Sequence, residues 1–410
     1  MNTAEDRAAL VDTVKRFATQ AIAPHVTAWD EAGEFPRALH QQAAELGLLG
    51  LGYPEHLGGT PAPWRARNAL SQTLARFGGS GGVMASLFTH NIGLPPILKH
   101  GTPELQAEVI PPVLRGEQIA ALGITEPGGG SDVAALRTTA RLDGDHYVID
   151  GEKVFITSGM RCDWITLAVR TDLQSKGASG ISMVVVPCSA PGISRSRLEK
   201  MGWHCSDTAH LRFDGVRVPA RYLLGEEGAG FRMVMTNFNG ERLAMSAMAL
   251  GFAEACFDEA LAWARQRSTF GAPLIERQVI RHKLMDMQMR IHSTQAWLDA
   301  LGDRVDAGDD GNVPSPGRPK VEQPPWGAAT HAEQGSVGAH SDWVAQVCLL
   351  KNHATQTMQF CADAAVQILG AMGFMRGTVS ERVYREVKVM MIGGGAEEIM
   401  KELAARQSGL

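Results

Sequence analysis

The sequence predicts an α+β protein in which a helical first part and a helical last part enclose a β-rich middle. Two observations carry this reading. Apolar residues recur at three- and four-residue spacing through Leu39–Leu51 and Leu70–Leu98, and again from Phe231 almost to the end, which is the period of one helix face. Between about 118 and 225 the pattern changes to short runs of β-branched residues, separated by turn signals such as Asp143-Gly144-Asp145 and Asp150-Gly151. That alternation of runs and turns marks antiparallel strands.

Residues 1–117 form the first predicted domain. Glu5 and Asp6 precede Leu10, Val14, Phe17 and Ile22, an acidic first turn on an amphipathic helix. Glycines and prolines at Gly58-Gly59, Gly78 to Gly82 and Pro95-Pro96 punctuate the helices that follow. Residues 118–226 form the β-domain, with strands expected over Gln118–Ile124, His146–Ile149, Lys153–Thr157, Trp164–Val169 and Ile181–Val186. Residues 227–410 form the last, helical domain. It is interrupted at about 308–340, where Pro314, Pro316, Pro319, Pro324 and Pro325 predict a long loop or disordered excursion.

Composition narrows the class. The chain has 410 residues, 44% hydrophobic and 20% charged, with a formal net charge of -5, so it has the core of a globular protein and no basic excess for nucleic acid. No apolar run approaches the roughly 18 residues that would suggest a membrane span. The N-terminus lacks the basic start and apolar middle of a signal peptide, and a cytoplasmic location is the expectation. Cysteines at 162, 188, 205, 256, 348 and 361 include no CxxC pair, which predicts neither a disulfide framework nor a zinc site. His204, Cys205 and His210 match no metal spacing.

One carboxylate breaks the apolar pattern of the last domain. Val234, Phe238, Ala244, Met245, Met248 and Phe252 stand at helical steps from Glu241 and share its face. An ionised carboxylate there loses hydration, so its pKa is expected to rise, as suits a base for a difficult proton. Periodicity alone favours the plainer reading of a structural Glu paired with an Arg.

Four further segments have the composition of a ligand site. Thr125 to Asp132, TEPGGGSD, follows an apolar strand, and its glycines let a ligand approach the backbone closely. Phe155 and Thr157, two apart on a strand, could offer a ring and a hydroxyl to a flat cofactor; an ordinary core aromatic beside a surface threonine fits equally. Arg265 to Gly271, RQRSTFG, carries guanidinium groups suited to a pyrophosphate. Gly393-Gly394-Gly395 leads into a helix over Ala396–Ala405, a usual place for a negative or carbonyl oxygen.

Together these segments resemble the acyl-CoA dehydrogenase family along nearly the whole chain and in the family's order. TEPGGGSD looks like the family's TEPGxGSD, KVFITSG like its K(M/V)(W/F)ITNG strand, and MGWHCSDTAHLRFDGVRVP like its second β-segment. QRSTFGAPL resembles RxxFGxPL, QILGAMGF resembles QxxGGxGY, and YREVKVMMIGGGAEEI resembles the final YRDxxxxxIxxGTxEI stretch. The resemblance implies a middle antiparallel β-barrel, a C-terminal four-helix bundle, bound FAD, and oxidation of the Cα–Cβ bond of an acyl-CoA. It also implies an electron-transferring flavoprotein as acceptor and a homotetramer.

Residue roles follow from the same resemblance. In many members the base is a Glu in the last stretch, where this chain has Gly394. The isovaleryl-CoA and long-chain members place it just before an Arg in the helix after the β-domain, which is Glu241 here, and the glycine-rich ending looks like that of citronellyl-CoA dehydrogenases, which act on 3-methyl-branched chains. Leu122, Ile124, Thr125, Gly130, Ser131, Phe155, Ile156 and Thr157 match cofactor positions, with Ser131 also at the CoA end. Arg267, Phe270, Gln278, Gln367 and Gly370 match positions that bind a neighbouring subunit's FAD, and Ala396 and Glu398 further cofactor positions. Asn239, Arg242, Gly394 and Gly395 match the substrate side, where the two glycines are expected to leave room for a branched acyl chain. Ala371 and Ala396 depart from the family's Gly and Thr, which predicts altered FAD contacts there. The competing reading is a flavin-dependent oxidase or monooxygenase on the same fold, which an Asp or His base would favour.

Overall fold

The computed structural model describes residues 3–175, 177–308 and 342–410. The proline-rich stretch expected to form a long loop or a disordered excursion therefore lies, beyond Gly308, outside the described residues. Seven helices of eight residues or fewer to fifteen residues make up the first part, from Ala4–Phe17 to Pro103–Leu114. Their starts are chemically specified. Thr3 and Asp6 form a reciprocal capping box, Ser80 caps Gly81–Leu87, and Thr102 caps a helix whose first residue is Pro103.

The middle holds a seven-stranded curled sheet: β1 (Ala120–Gly123), β2 (Thr139–Asp143), β3 (His146–Thr157), β4 (Trp164–Arg170), β5 (Ile181–Pro187), β6 (Ile193–Arg197) and β7 (Thr208–Pro219). The order is β1-β4-β2-β3-β7-β6, with β5 on β4. Most pairs are antiparallel, but β1 lies parallel to β4, and β2 meets β4 in parallel at Thr139 and Arg170. The purely antiparallel expectation is corrected there, because β1 enters the sheet directly from the helical part with no hairpin partner.

A second correction concerns Asp150-Gly151. The sequence reads it as a turn between two strands, whereas β3 runs unbroken through it, with register shifts at Ile149/Gly151 and Lys153/Ile156. Gly151 has φ +142 and a Cβ there would meet Thr138 Cα at 2.7 Å, so the glycine permits a bulge and a close strand approach.

The last part is built on four long helices, Gly230–Gln266, Gln278–Asp306, Asp342–Leu369 and Val379–Ile392, followed by Glu397–Gln407. Two large cores, with a small cluster of Ala345, Cys348, Met400 and Ala404 beside them, organise the described residues. Leu10 to Leu87 pack with the C-terminal helices, while Leu94 to Leu114 pack on the sheet. The 37-residue helix Gly230–Gln266 joins them: Met233 and Val234 belong to the sheet core, and Leu243 onward to the helical core. Glu241 falls in the step between.

Candidate active site

Glu241 sits where the long helix leaves one core for the other, and its Oε2 is buried with no hydrogen-bond partner among the described residues. Burial pushes its carboxyl up to about 7, against the opposing pull of Arg242 and Lys351. The structural pairing with an Arg that periodicity alone favours does not form among the described residues. Arg242, the next residue, projects about 100° around the helix. Its Nε donates to Gly394 O at 3.0 Å, and its Nη1 to Asn239 Oδ1 at 3.1 Å.

The Gly393-Gly394-Gly395 turn comes back over this carboxylate. A Cβ on Gly394 would stand 3.8 Å from Glu241 Oε1 and 2.9 Å from Met245 Sδ. Gly394 and Gly395 adopt φ +65 and +112, conformations that glycine alone takes cheaply. Lys351, fully buried, donates to Met391 O at 3.1 Å and Gly395 O at 2.8 Å, and burial lowers its pKa to about 8. Thus the turn's carbonyls are held by two cations, while no acceptor among the described residues takes the N–H of Gly394 or Gly395. The expectation that these glycines leave open room needs correction. Met245 fills the space beside Gly394 and Met400 the space beside Gly395.

The expected cofactor strand forms a second group. Val154 N donates to Thr125 O at 2.9 Å, which joins the end of β1 to β3. Phe155 has φ +62 in the β3 bulge and is 68% exposed, whereas Ile156 turns into the sheet core. Ile124 is likewise buried there, Leu122 and Thr125 are half-buried, and Ser131 is exposed. Positive φ at a bulky aromatic is strained, and here it holds the ring off the core and outward. Thr157 follows, half-buried, on the same side.

The TEPGGGSD loop fits the flavin that the sequence implies. A Cβ at Gly128 would meet nothing within 4 Å, one at Gly129 only Asp132 O at 3.8 Å, and one at Gly130 only Thr125 Cγ2 at 3.7 Å. Packing within the chain does not demand glycine at these positions, and their exposed, uncrowded backbone leaves room for close approach of a ligand. Sequence reasoning missed what anchors the loop. Lys153 Nζ, buried, donates to Glu126 Oε1 at 2.8 Å and Ile124 O at 3.0 Å, while Glu126 also accepts from the N–H groups of Arg137 and Thr138. Read as the first residue of a short strand Lys153–Thr157, Lys153 falls on the outward face with Phe155 and Thr157; in the unbroken β3 it shares the inward parity of Tyr147 and Ile149, and the bulge follows it.

Other expected positions stay apart from Glu241. Arg267, Phe270 and Gln278 are exposed around the two-stranded hairpin of Ser268–Thr269 and Ala272–Pro273, with Phe270 98% exposed. Gln367 and Gly370 are exposed at the end of Asp342–Leu369. Ala396 is the N-cap of Glu397–Gln407 without a side-chain cap, and Glu398 is exposed in its first turn. Among the described residues no His/Cys/Asp/Glu group could hold a metal ion.

Comparison with known proteins matches this architecture end to end. The models described as acyl-CoA dehydrogenase N-terminal, middle and C-terminal domains match residues 4–117, 121–216, and 228–317 with 326–409. The probable acyl-CoA dehydrogenase YngJ of Bacillus subtilis is 31% identical over 403 residues, covering 97% of this chain and 96% of that one. The cyclohexane-1-carbonyl-CoA dehydrogenase of Geobacter metallireducens is 32% identical over 411 residues, covering 99% and 98%. A probable acyl-CoA dehydrogenase from Mycobacterium abscessus superposes with a TM-score of 0.88 at 42% identity, covering 99% of each chain. The chain belongs to the acyl-CoA dehydrogenase family, flavoprotein oxidoreductases that act on acyl-CoA.

Proposed function

We propose that this protein oxidises the Cα–Cβ bond of an acyl-CoA thioester to the trans-2-enoyl-CoA, with Glu241 as the base for the α-proton. The observation that carries the reading is the unpartnered Glu241 Oε2 beneath the glycine turn. A carboxylate that titrates near 7 is matched to working pH, and a positioned base of this kind contributes roughly 10²- to 10⁴-fold.

Removing a proton beside a thioester leaves negative charge on the carbonyl oxygen. The N–H groups of Gly394 and Gly395 are the chain's own donors for that charge. They are fixed in advance, because Arg242 and Lys351 hold the carbonyls of the same turn. Asn239 keeps Arg242 in place. Bound FAD, for which Thr125, Gly130, Ser131, Phe155 and Thr157 are the near-side contacts, would supply the acceptor for the β-hydride. Arg267, Phe270, Gln278, Gln367 and Gly370, exposed and far from the Glu241 turn in their bonding, suit the FAD of a neighbouring subunit in a homotetramer. An electron-transferring flavoprotein is the proposed acceptor.

The test is Glu241→Gln, assayed anaerobically. The variant should retain FAD and bind acyl-CoA, yet fail to bleach the flavin when substrate is added. Rapid bleaching would overturn the assignment of the base.

A further inference from the structure

Cys162 and Cys188 flank the open end of the β4–β5 pair, where Trp164 lies opposite Pro187. Cys188 N donates to Asp163 O at 2.8 Å, which extends that ladder by one step and brings the two cysteines side by side. Their Sγ atoms are 3.4 Å apart and both residues are buried. A single guanidinium steadies both backbones: Arg195 Nη2 donates to Cys188 O at 2.8 Å and Cys162 O at 3.4 Å. The 26-residue separation gave no sign of this, since CxxC spacing is the pattern that reveals a dithiol in sequence. Neither thiol has a part in the chemistry proposed above.

We infer that Cys162 and Cys188 are a redox modification site, a dithiol that a hydroperoxide converts to a disulfide. The step balances with hydrogen peroxide as the oxidant. Cys188, which keeps 8% of its surface accessible, gives up its proton and its sulfur attacks one peroxide oxygen. The O–O bond breaks, leaving a sulfenic acid on Cys188 and releasing one water. Cys162 Sγ then attacks the Cys188 sulfur, the S–O bond breaks, and the hydroxyl departs with the Cys162 proton as a second water. Two thiols lose two hydrogens and one peroxide is reduced to two waters.

The order of events follows from access: Cys188 keeps 8% of its surface accessible and Cys162 3%, so peroxide meets Cys188 first and Cys162 acts second. The hydrogen bond to Cys188, together with burial, pushes the Cys162 thiol up, in keeping with that order. The resulting bond would tie the loop that follows Thr157 to the end of β5. Among the described residues Cys256 and Cys361 lie near enough to interact electrostatically but make no sulfur–sulfur hydrogen bond. Cys205 lies against Ser80 Oγ and Cys348 against Arg242 Nη1.

The experiment is to treat the folded holoenzyme with hydrogen peroxide, block free thiols under denaturing conditions, and measure intact mass and a non-reducing peptide map. A loss of about 2 Da is expected, with the peptides of Cys162 and Cys188 linked and the link reversed by dithiothreitol. Cys162→Ser should abolish the link and leave Cys188 with one added oxygen or unmodified. The proposal is overturned by a wild-type protein in which Cys188 gains oxygen without a link. It is equally overturned by a link that uses Cys205, Cys256, Cys348 or Cys361, or by both thiols surviving an exposure that oxidises exposed methionines such as Met285.

Discussion

Gly394 lies over Glu241 so closely that a single added methyl would stand 3.8 Å from Oε1 and 2.9 Å from Met245 Sδ. The 3.8 Å separation is ordinary van der Waals contact, so the turn touches the carboxylate without crowding it; a side chain at 394 would displace Met245, four residues along the same helix.

Gly394→Ala tests that arrangement. The φ of +65 costs a residue with a Cβ about 1–2 kcal/mol, and Met245 must also move. The expected result is a lower thermal midpoint and a rate of flavin reduction lower by on the order of 10-fold or more, since small displacements of reacting groups are expensive. Differential scanning calorimetry and stopped-flow reduction read the two effects separately.

The pH profile provides a second test. Glu241 acts when ionised, and its pKa of about 7 places the rise of kcat/KM near neutrality in the free enzyme. Lys351 is one of the two cations that hold this value down, so Lys351→Met should move the rise to higher pH. Stability has the matching sign. A Glu whose folded value lies above its unfolded value stabilises the fold below about 4.5, and that contribution is lost as pH climbs through about 7. Glu241→Gln should therefore be the more stable protein at pH 8, by at most roughly 3 kcal/mol.

Lys153 and Glu126 predict a defect of a different kind. Lys153→Met leaves Glu126 buried without its cation, a change that typically costs about 3–5 kcal/mol. Because this pair anchors the loop from Thr125 to Ser131, the variant should lose flavin as well as stability, and absorbance at the flavin band after gel filtration measures the loss. Normal flavin content in a folded variant would show that the anchor is dispensable.

Much of the fold was readable because its causes are local. The helical period around Leu70 and from Phe231 and the β-branched runs of β4 and β5 act over a few residues, where propensity and periodicity operate. The bulges in β3 were not readable. Whether Asp150-Gly151 turns back or continues depends on β7, whose partner residues lie more than 60 positions later. Lys153 was hidden because a break at Asp150-Gly151 makes it the start of a separate strand; only in the unbroken β3 does it share the inward parity of Tyr147 and Ile149.

The sequence by itself determined which residues are candidates: Glu241 in an apolar stripe, three glycines after a strand, three more before a helix. It could do so because composition and spacing record what each segment tolerates. Only the tertiary structure decided that Glu241 has no ion-pair partner among the described residues, that Arg242 and Lys351 bind the glycine turn instead, and that two methionines occupy the room those glycines vacate. These are facts about directions and distances between segments about 150 residues apart. They follow from how two cores pack along one shared helix, and no local pattern encodes them.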